Sequence, residues 1–296
     1  MLMDCLKIGC NVCSEMEKTM TFSETVKAHK FELFVLVLLL GAVYHSIVYE
    51  MLLDWKKDDN YSHGFLVPFI AGYLAYMRKD DLLAAVVRPC NAGLAIVAAG
   101  LGVLFMGWLA TEYFTMRSSL VIIMAGSVLY LLGWEIFKIL LAPLCYLLLM
   151  VPIPYIIYDA AAFPLKLLVT KVSVLSMKAL GIVVWQEGNI LMFPNVTLEV
   201  ADACSGLRSI MSLLALGAAY AFVFFPRVRD RAILILSTLP IAVFTNCLRV
   251  IATGILAQYF GSAAAEGFFH EFAGLFVFVG AVVMFVALGA VLKRWS

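Results

Sequence analysis

The sequence predicts an all-α polytopic membrane protein with about eight transmembrane helices, an interfacial helix on the outer face and a small β-hairpin. Of the 296 residues, 64% are hydrophobic and only 14% are charged, a composition typical of membrane proteins. Apolar stretches that approach the roughly 17–25 residues needed to cross a bilayer recur along the chain. We place the spans at about 31–51, 63–78, 90–111, 117–134, 137–157, 203–226, 232–259 and 270–292.

The distribution of Lys and Arg predicts the orientation of these spans, because cytoplasmic loops are enriched in both residues. Most of the 21 fall on one alternating set of loops: Lys7, Lys18, Lys27, Lys30, Arg78, Lys79, Arg88, Lys138, Arg227, Arg229, Arg231, Lys293 and Arg294. Both termini are therefore expected in the cytoplasm, and residues 158–202 and 260–269 on the outer face. No small-x-small cleavage site follows the first apolar segment, so we expect it to remain as a span.

The remaining composition limits the classes of partner and cofactor. A net charge of +1 gives no indication of nucleic-acid binding, so the expected contacts are membrane lipids. Cys5, Cys10 and Cys13 cluster in the N-terminal tail, but no fourth ligand follows them, and we expect neither a metal site nor a cofactor. No internal repeat or linker is evident. We predict a cytoplasmic tail over 1–30 and a single membrane domain over 31–296.

The stretch between the fifth and sixth predicted spans changes its period. Residues 159–182 have helical apolar spacing with Lys171 and Lys178 on one face, which predicts a helix lying along the outer interface. Residues 190–193 and 196–200 then flank the turn-forming Pro194-Asn195 and predict a hairpin. Its second strand alternates, with Val196, Leu198 and Val200 on one side, and it leads directly to a cysteine.

That cysteine, Cys204, lies at the outer start of the sixth span. Asp202 or Ser205 can cap the helix there, and a helix N-terminus favours the thiolate, which is the nucleophilic form. Gly206 permits close approach of a substrate, and Arg208 is four residues further along the same helix face. A structural cysteine packed against a neighbouring helix is the alternative that Cys204 alone leaves open.

Two other ionisable residues are expected at the same membrane face. Arg249 lies roughly 25 Å from the cytoplasmic end of its helix, with Asn246 on the same face to orient it. His270 opens the last span on the outer side, where an imidazole can move the protons of a thiol reaction. A snorkelling Arg and an interfacial His are the alternatives. His63, also outside, is assigned a supporting or structural role.

Together these residues resemble the exosortase/archaeosortase family of membrane-embedded cysteine transpeptidases, over about residues 54–292. The resemblance is carried by six segments: 59–65 (DNYSHGF), 150–154 (MVPIP), 187–190 (EGNI), 203–208 (ACSGLR), Asn246-x-x-Arg249 and His270. It implies that Cys204 is the nucleophile, that Arg249 and His270 complete a sortase-like triad, and that the chain belongs to the bacterial branch.

The resemblance also implies a substrate class and a location. The substrates would be exported proteins with a C-terminal sorting signal: a short motif such as Pro-Glu-Pro, an apolar helix and a basic end. The acceptor would be an envelope nucleophile or water, and the enzyme would lie in the bacterial inner membrane with its site on the periplasmic face. Two alternatives remain open, a multi-spanning transporter and a non-catalytic component of an exopolysaccharide export system. Transporters usually show internal repeats and midplane charges, which are not evident here.

Overall fold

The computed structural model describes residues 20–194, 196–200, 207–261 and 268–295, and it divides into two compact units, one up to Pro152 and one from Ile153. Helices dominate the described ranges, and six of them are long and apolar enough to cross a membrane. The predicted class of helical, polytopic membrane protein is therefore confirmed. The predicted total of eight spans exceeds this number.

From residue 20 onward, the regular structure of the first unit is helical apart from two short antiparallel strands. Its elements are β1 (Met20–Thr21), α1 (Phe22–Ala28), α2 (Lys30–Lys57), a 3-10 helix (Asp59–Phe65), α3 (Val67–Tyr76), α4 (Lys79–Ala84), β2 (Val86–Val87), α5 (Ala92–Leu109), α6 (Tyr113–Leu147) and a 3-10 turn (Leu148–Met150). Thr21 and Glu24 form a capping box at the start of α1. The predicted second span corresponds to α3, which at 10 residues is shorter than expected.

Helix α6 reverses direction at Gly133, where the backbone has φ 85° and ψ −176°. Arg117 forms a 2.6 Å ion pair with Asp54 near the start of α6, and Trp55 donates to the Met150 carbonyl at 2.9 Å after its end. A straight helix would separate Arg117 from Met150 by about 50 Å. Because Asp54 and Trp55 are adjacent, the chain must return to the level at which α6 began.

Gly133 is required at this reversal. A Cβ there would collide with the Arg88 carbonyl, to which Gly133 is joined by an isolated parallel bridge. Its positive φ is also a conformation that side chains other than glycine rarely adopt. The break separates residues 113–132 from 134–147, close to the boundary predicted between the fourth and fifth spans at 134–137.

In its described residues, the second unit combines four helices with a three-stranded antiparallel sheet. Its elements are α7 (Tyr155–Ala179), β3 (Trp185–Glu187), β4 (Ile190–Met192), β5 (Thr197–Glu199), α8 (Leu207–Phe224), α9 (Val228–Phe260) and α10 (Phe268–Trp295). The helix predicted at 159–182 is observed as α7. It begins earlier than predicted, directly after Pro154, and ends at Ala179. Its length and composition would also suit a span. Lys171 and Lys178 are exposed, in keeping with the polar face expected from the sequence.

The predicted hairpin is confirmed as β4 and β5, and one further strand joins it. β3 pairs with β4 across the two-residue loop Gly188-Asn189, and the strand order is β3-β4-β5. Gly188 has φ 61°, as tight two-residue hairpin loops require. The alternation predicted for the second strand is also observed, because Val200 is buried while Thr197 and Glu199 are exposed.

One face of this sheet packs against α7 and α9. Leu191, Phe193 and Val200 are buried in a cluster to which α7 contributes Val169, Val174 and Met177, and α9 contributes Cys247 and Val250. Phe193 lies against Gly254 of α9, where an added Cβ would be 2.9 Å from the Phe193 Cζ atom. The cluster fixes the sheet to the part of α9 that carries Arg249.

Candidate functional site

Helices α8, α9 and α10 touch one another at Gly217. A Cβ on Gly217 would be 2.9 Å from Thr238 Cγ2 of α9 and 3.0 Å from Phe285 Cζ of α10. Residues 225–227 connect α8 to α9, so the two helices run in opposite directions from that end. Ten residues upstream of Gly217, or about 15 Å, the first residue of α8 therefore lies at the level of about residue 248 on α9.

The same counting brings α10 to this level. Gly274 precedes Phe285 by about 16.5 Å of helix and lies next to the Arg249 side chain of α9. A Cβ on Gly274 would be 3.5 Å from Arg249 Nη2 and 3.6 Å from Arg249 Cζ. The guanidinium therefore faces Gly274 across a space that a methyl group would fill. The start of α8, Arg249 and the first turns of α10 consequently share one end of the bundle.

His270 lies in the first turn of α10, four residues before Gly274. Four residues of helix are about 6 Å, and residues four apart lie on the same helix face. The backbone of His270 is therefore one turn from the surface that the Arg249 guanidinium contacts. Two of the three predicted catalytic residues, Arg249 and His270, therefore belong to neighbouring turns of α9 and α10.

The helix face around Arg249 is polar and buried. Asn246, the predicted supporting residue, is 2% exposed, and the neighbouring Thr245 donates to the Ile241 carbonyl at 2.9 Å. Ser173 of α7 donates to the Cys247 carbonyl at 3.3 Å, which ties α7 to the turn that contains Arg249. Cys247 is buried in the apolar cluster, as expected for a packing thiol. Arg249 itself is half-buried.

The predicted nucleophile Cys204 and its neighbours Ser205 and Gly206 lie outside the described residues. The described chain ends on one side at Val200, a member of the cluster that includes Cys247 and Val250, and resumes on the other at Leu207. Arg208, the remaining supporting residue, is in the first turn of α8. The reactive role of Cys204 stays a prediction.

His63 belongs to the first unit and has a structural environment there. Its Nε2 atom lies 3.2 Å from the Leu149 carbonyl, so the 3-10 helix 59–65 is joined to the turn after α6. Gly64 lies directly on the Trp55 ring, where a Cβ would be 2.5 Å from the indole nitrogen. Burial lowers the pKa of His63, and hydrogen bonding to the Leu149 and Asn60 carbonyls opposes this effect.

Two features near the site were missed by the sequence analysis. Gly274 was not assigned a role, although a small residue one turn after a candidate histidine allows another helix to approach closely. Strand β3 was also missed, although Gly188-Asn189 is a common two-residue hairpin loop and could have indicated it. Within the described ranges, no group of three or more His, Cys, Asp or Glu side chains could hold a metal ion.

A family model described as transmembrane exosortase matches residues 55–287, a range that includes Cys204, Arg249, His270 and His63. No curated protein and no solved structure matches the chain.

Proposed function

Because the chain belongs to the transmembrane exosortase family, whose model covers most of its length, we propose that it is a membrane-embedded cysteine endopeptidase and transpeptidase. Its substrates are exported proteins with a C-terminal sorting signal, composed of a short motif such as Pro-Glu-Pro, an apolar helix and a basic end. The observation that carries the proposal is the contact of the Arg249 guanidinium with Gly274, one turn from His270 and level with the start of α8.

Chain length supports the inclusion of Cys204 in this site. Cys204 is four residues from Val200, which is packed in the same cluster as Val250, and three residues from Leu207. An extended chain covers roughly 3.3–3.6 Å per residue, so Cys204 lies within roughly 14 Å of Val200. Both attachments belong to the end of the bundle that carries Arg249.

The proposed reaction proceeds through a thioester. His270 accepts the proton of the Cys204 thiol, and the sulfur attacks the scissile carbonyl carbon. Arg249, assisted by Arg208, stabilises the negative charge on the carbonyl oxygen of the tetrahedral intermediate. The C–N bond then breaks, and the leaving amine takes the proton from His270. An envelope nucleophile or water attacks the thioester, gives up its proton and restores the thiol.

The proposed topology places this site on the periplasmic face of the inner membrane, with both termini cytoplasmic. The eight spans are α2, α3, the two parts of α6 on either side of Gly133, α5, α8, α9 and α10, and α7 lies along the outer interface. The reversal at Gly133 supports this count, because it divides one long helix into two crossings. The charges concentrate near the helix ends, which favours an enzyme over a transporter with a midplane site.

The test is co-expression of the protein with an exported reporter that carries a Pro-Glu-Pro tail signal. Wild type should shorten the reporter by the length of its tail, whereas Cys204→Ala and Cys204→Ser should leave it intact. Cys247→Ala is the matched control, because Cys247 is a buried packing thiol, and it should retain processing. Full processing by Cys204→Ser would refute the thioester mechanism.

A further inference from the structure

The outer edge of β5, the strand that leads to Cys204, has the geometry of a peptide-binding site. We propose that the substrate's sorting motif binds there as an added strand, next to Thr197 and Glu199. The inference rests on the proposed function, because it identifies how the same site would hold its substrate. The occupant is the short extended segment that precedes the apolar helix of the signal.

The hydrogen-bonding register of the sheet determines which groups point outward. Val200 N–H donates to the Asn189 carbonyl, and Phe193 N–H donates to the Val196 carbonyl. Residue pairs in an antiparallel ladder alternate between bonded and non-bonded. The Ile190–Glu199 and Met192–Thr197 pairs are therefore non-bonded, and Thr197 and Glu199 direct their N–H and C=O groups away from β4.

These outward groups are accessible. Thr197 and Glu199 are both exposed, and among the described residues no strand pairs with this edge of the sheet. Their N–H and C=O groups repeat every two residues, about 6.8 Å apart, which is the spacing of an extended peptide. A lipid headgroup does not offer alternating donors and acceptors at that spacing, so the chemistry selects a polypeptide backbone.

The sheet is held rigidly enough to align such a peptide with the site. Leu191, Phe193 and Val200 fix it to α7 and α9 through the buried cluster, and Phe193 lies against Gly254. Gly254 is five residues beyond Arg249, or about 7.5 Å along α9. A strand added to β5 would lie about 4.8 Å from it, beside the strand that precedes Cys204 in the chain.

The opposite edge of the sheet provides a matched control. On β3, the outward N–H group belongs to Gln186, because Glu187 and Ile190 flank the two-residue hairpin loop and form a bonded pair. This edge has the same backbone chemistry but is separated from Cys204 by two further strands. If exposed backbone groups were sufficient, the substrate peptide would bind at both edges of the sheet. If the peptide must be positioned for Cys204, it should bind at β5 only.

The experiment is disulfide trapping in the Cys204→Ala background, which holds the substrate without turnover. Thr197→Cys is combined with a reporter carrying one cysteine within its Pro-Glu-Pro tail motif, and membranes are treated with a mild oxidant. Side chains on adjacent strands are close enough for a disulfide. We expect a crosslinked enzyme–reporter adduct from Thr197→Cys at least tenfold above that from Gln186→Cys or from the Cys204→Ala parent.

Three outcomes would overturn the inference. Equal adducts from both edges, or none from Thr197→Cys, would exclude β5 as the binding edge, and a Thr197→Cys homodimer that excludes the reporter would assign the edge to a second copy. Failure of the proposed function is distinguishable, because wild type would then leave the reporter intact, or Cys204→Ala would process it as wild type does.

Turnover provides an independent readout. Thr197→Pro removes the outward N–H group while leaving the β4 ladder intact, since prolines are tolerated where an edge N–H faces outward. We expect reporter processing to fall at least fivefold, with recovery on raising the reporter level, whereas Thr197→Val and Gln186→Pro retain processing near that of wild type. The membrane level of Thr197→Pro, compared with that of Gln186→Pro, shows whether the variant folds. Wild-type processing by a well-expressed Thr197→Pro would reject the inference; if only Thr197→Pro is lost from the membrane, the Thr197→Cys adduct decides.

Discussion

At the scale of single residues, the Arg249 side chain combines a charge with an apolar helical environment. A guanidinium within a span is costly unless it is paired or used, and its field is stronger there than in water. Its contact with Gly274 holds the charge close to the first turn of α10, where His270 lies. The size of residue 274 therefore limits how closely this charge can approach the first turn of α10.

Substitution of Gly274 tests this contact. A leucine would displace the guanidinium, and loss of one oxyanion donor typically lowers turnover about 10²–10³-fold. We expect Gly274→Leu to reduce reporter processing at least tenfold. Gly274→Ala should be tolerated, because its Cβ would be at an ordinary contact distance of 3.5 Å. Gly280→Leu is the matched control on the same helix, since no atom lies within 4 Å of its Cβ position; equal losses from both leucines would contradict the prediction.

His63 gives a second prediction at the residue scale. Its pKa is lower in the folded protein than in the unfolded chain, mainly because it is buried. The His63 imidazole therefore binds a proton more readily in the unfolded chain than in the folded protein. As the pH falls below about 6.5, protonation of the unfolded chain lowers the stability of the folded state. We expect the melting temperature of wild type to fall further than that of His63→Gln between pH 7 and pH 5. Parallel pH profiles would show that His63 does not contribute.

At the scale of elements, the reversal at Gly133 separates the two parts of α6. The sequence predicts a boundary between two spans at 134–137, and the backbone conformation of Gly133 locates the reversal at that residue. The ion pair of Arg117 with Asp54 and the bond of Trp55 to Met150 fix both ends of α6 beside the end of α2. The Arg117 side chain is 4% exposed and that of Asp54 is 43% exposed, so the guanidinium is buried while the carboxylate stays partly accessible.

Gly133→Ala should destabilise the first unit. A left-handed backbone costs a non-glycine residue on the order of 1–3 kcal/mol, and the new Cβ would also collide with the Arg88 carbonyl. We expect a melting temperature several degrees below that of wild type in a detergent-solubilised thermal assay. Gly102→Ala within α5 is the control, because nothing lies within 4 Å of its Cβ position, and it should be neutral or stabilising. A neutral Gly133→Ala would disprove the reversal.

At the scale of the whole molecule, the side of the membrane on which Cys204 lies depends on whether α7 crosses the membrane. Helix α7 has the length of a span, but it also exposes Lys171 and Lys178. If α7 lies along the outer interface, residues 180–200 and Cys204 are periplasmic. If it crosses the membrane, the same residues are cytosolic, where exported substrates could not reach them.

Reporter fusions distinguish these topologies. Alkaline phosphatase, which is active only outside the cytoplasm, should be active when fused after Lys57 or Gly188 and inactive after Arg88 or Arg229. A fluorescent protein fused at the C-terminus should be bright, because the cytoplasm permits its folding. An inactive fusion after Gly188 would place the thiol on the cytoplasmic side and refute the proposed site.

Features that depend on neighbouring residues in the chain can be predicted from the sequence, whereas features that depend on contacts between distant helices cannot. The spans and the hairpin follow from local periodicity, so the sequence was sufficient to predict β4, β5 and the alternation of Thr197 and Glu199. The level of Arg249 on α9 follows from counting residues in one helix. Gly274 and Phe193 could not be assigned in the same way, because their importance depends on which distant helix contacts them.

The sequence by itself determined the family, the membrane class and the residue types available for chemistry, because apolar length and short motifs are properties of contiguous chain. Only the tertiary structure decided that the Arg249 guanidinium rests on Gly274 and that Phe193 rests on Gly254. These contacts join residues at least 25 positions apart in one case and about 61 in the other, and close packing of helices, rather than local preference, brings them together.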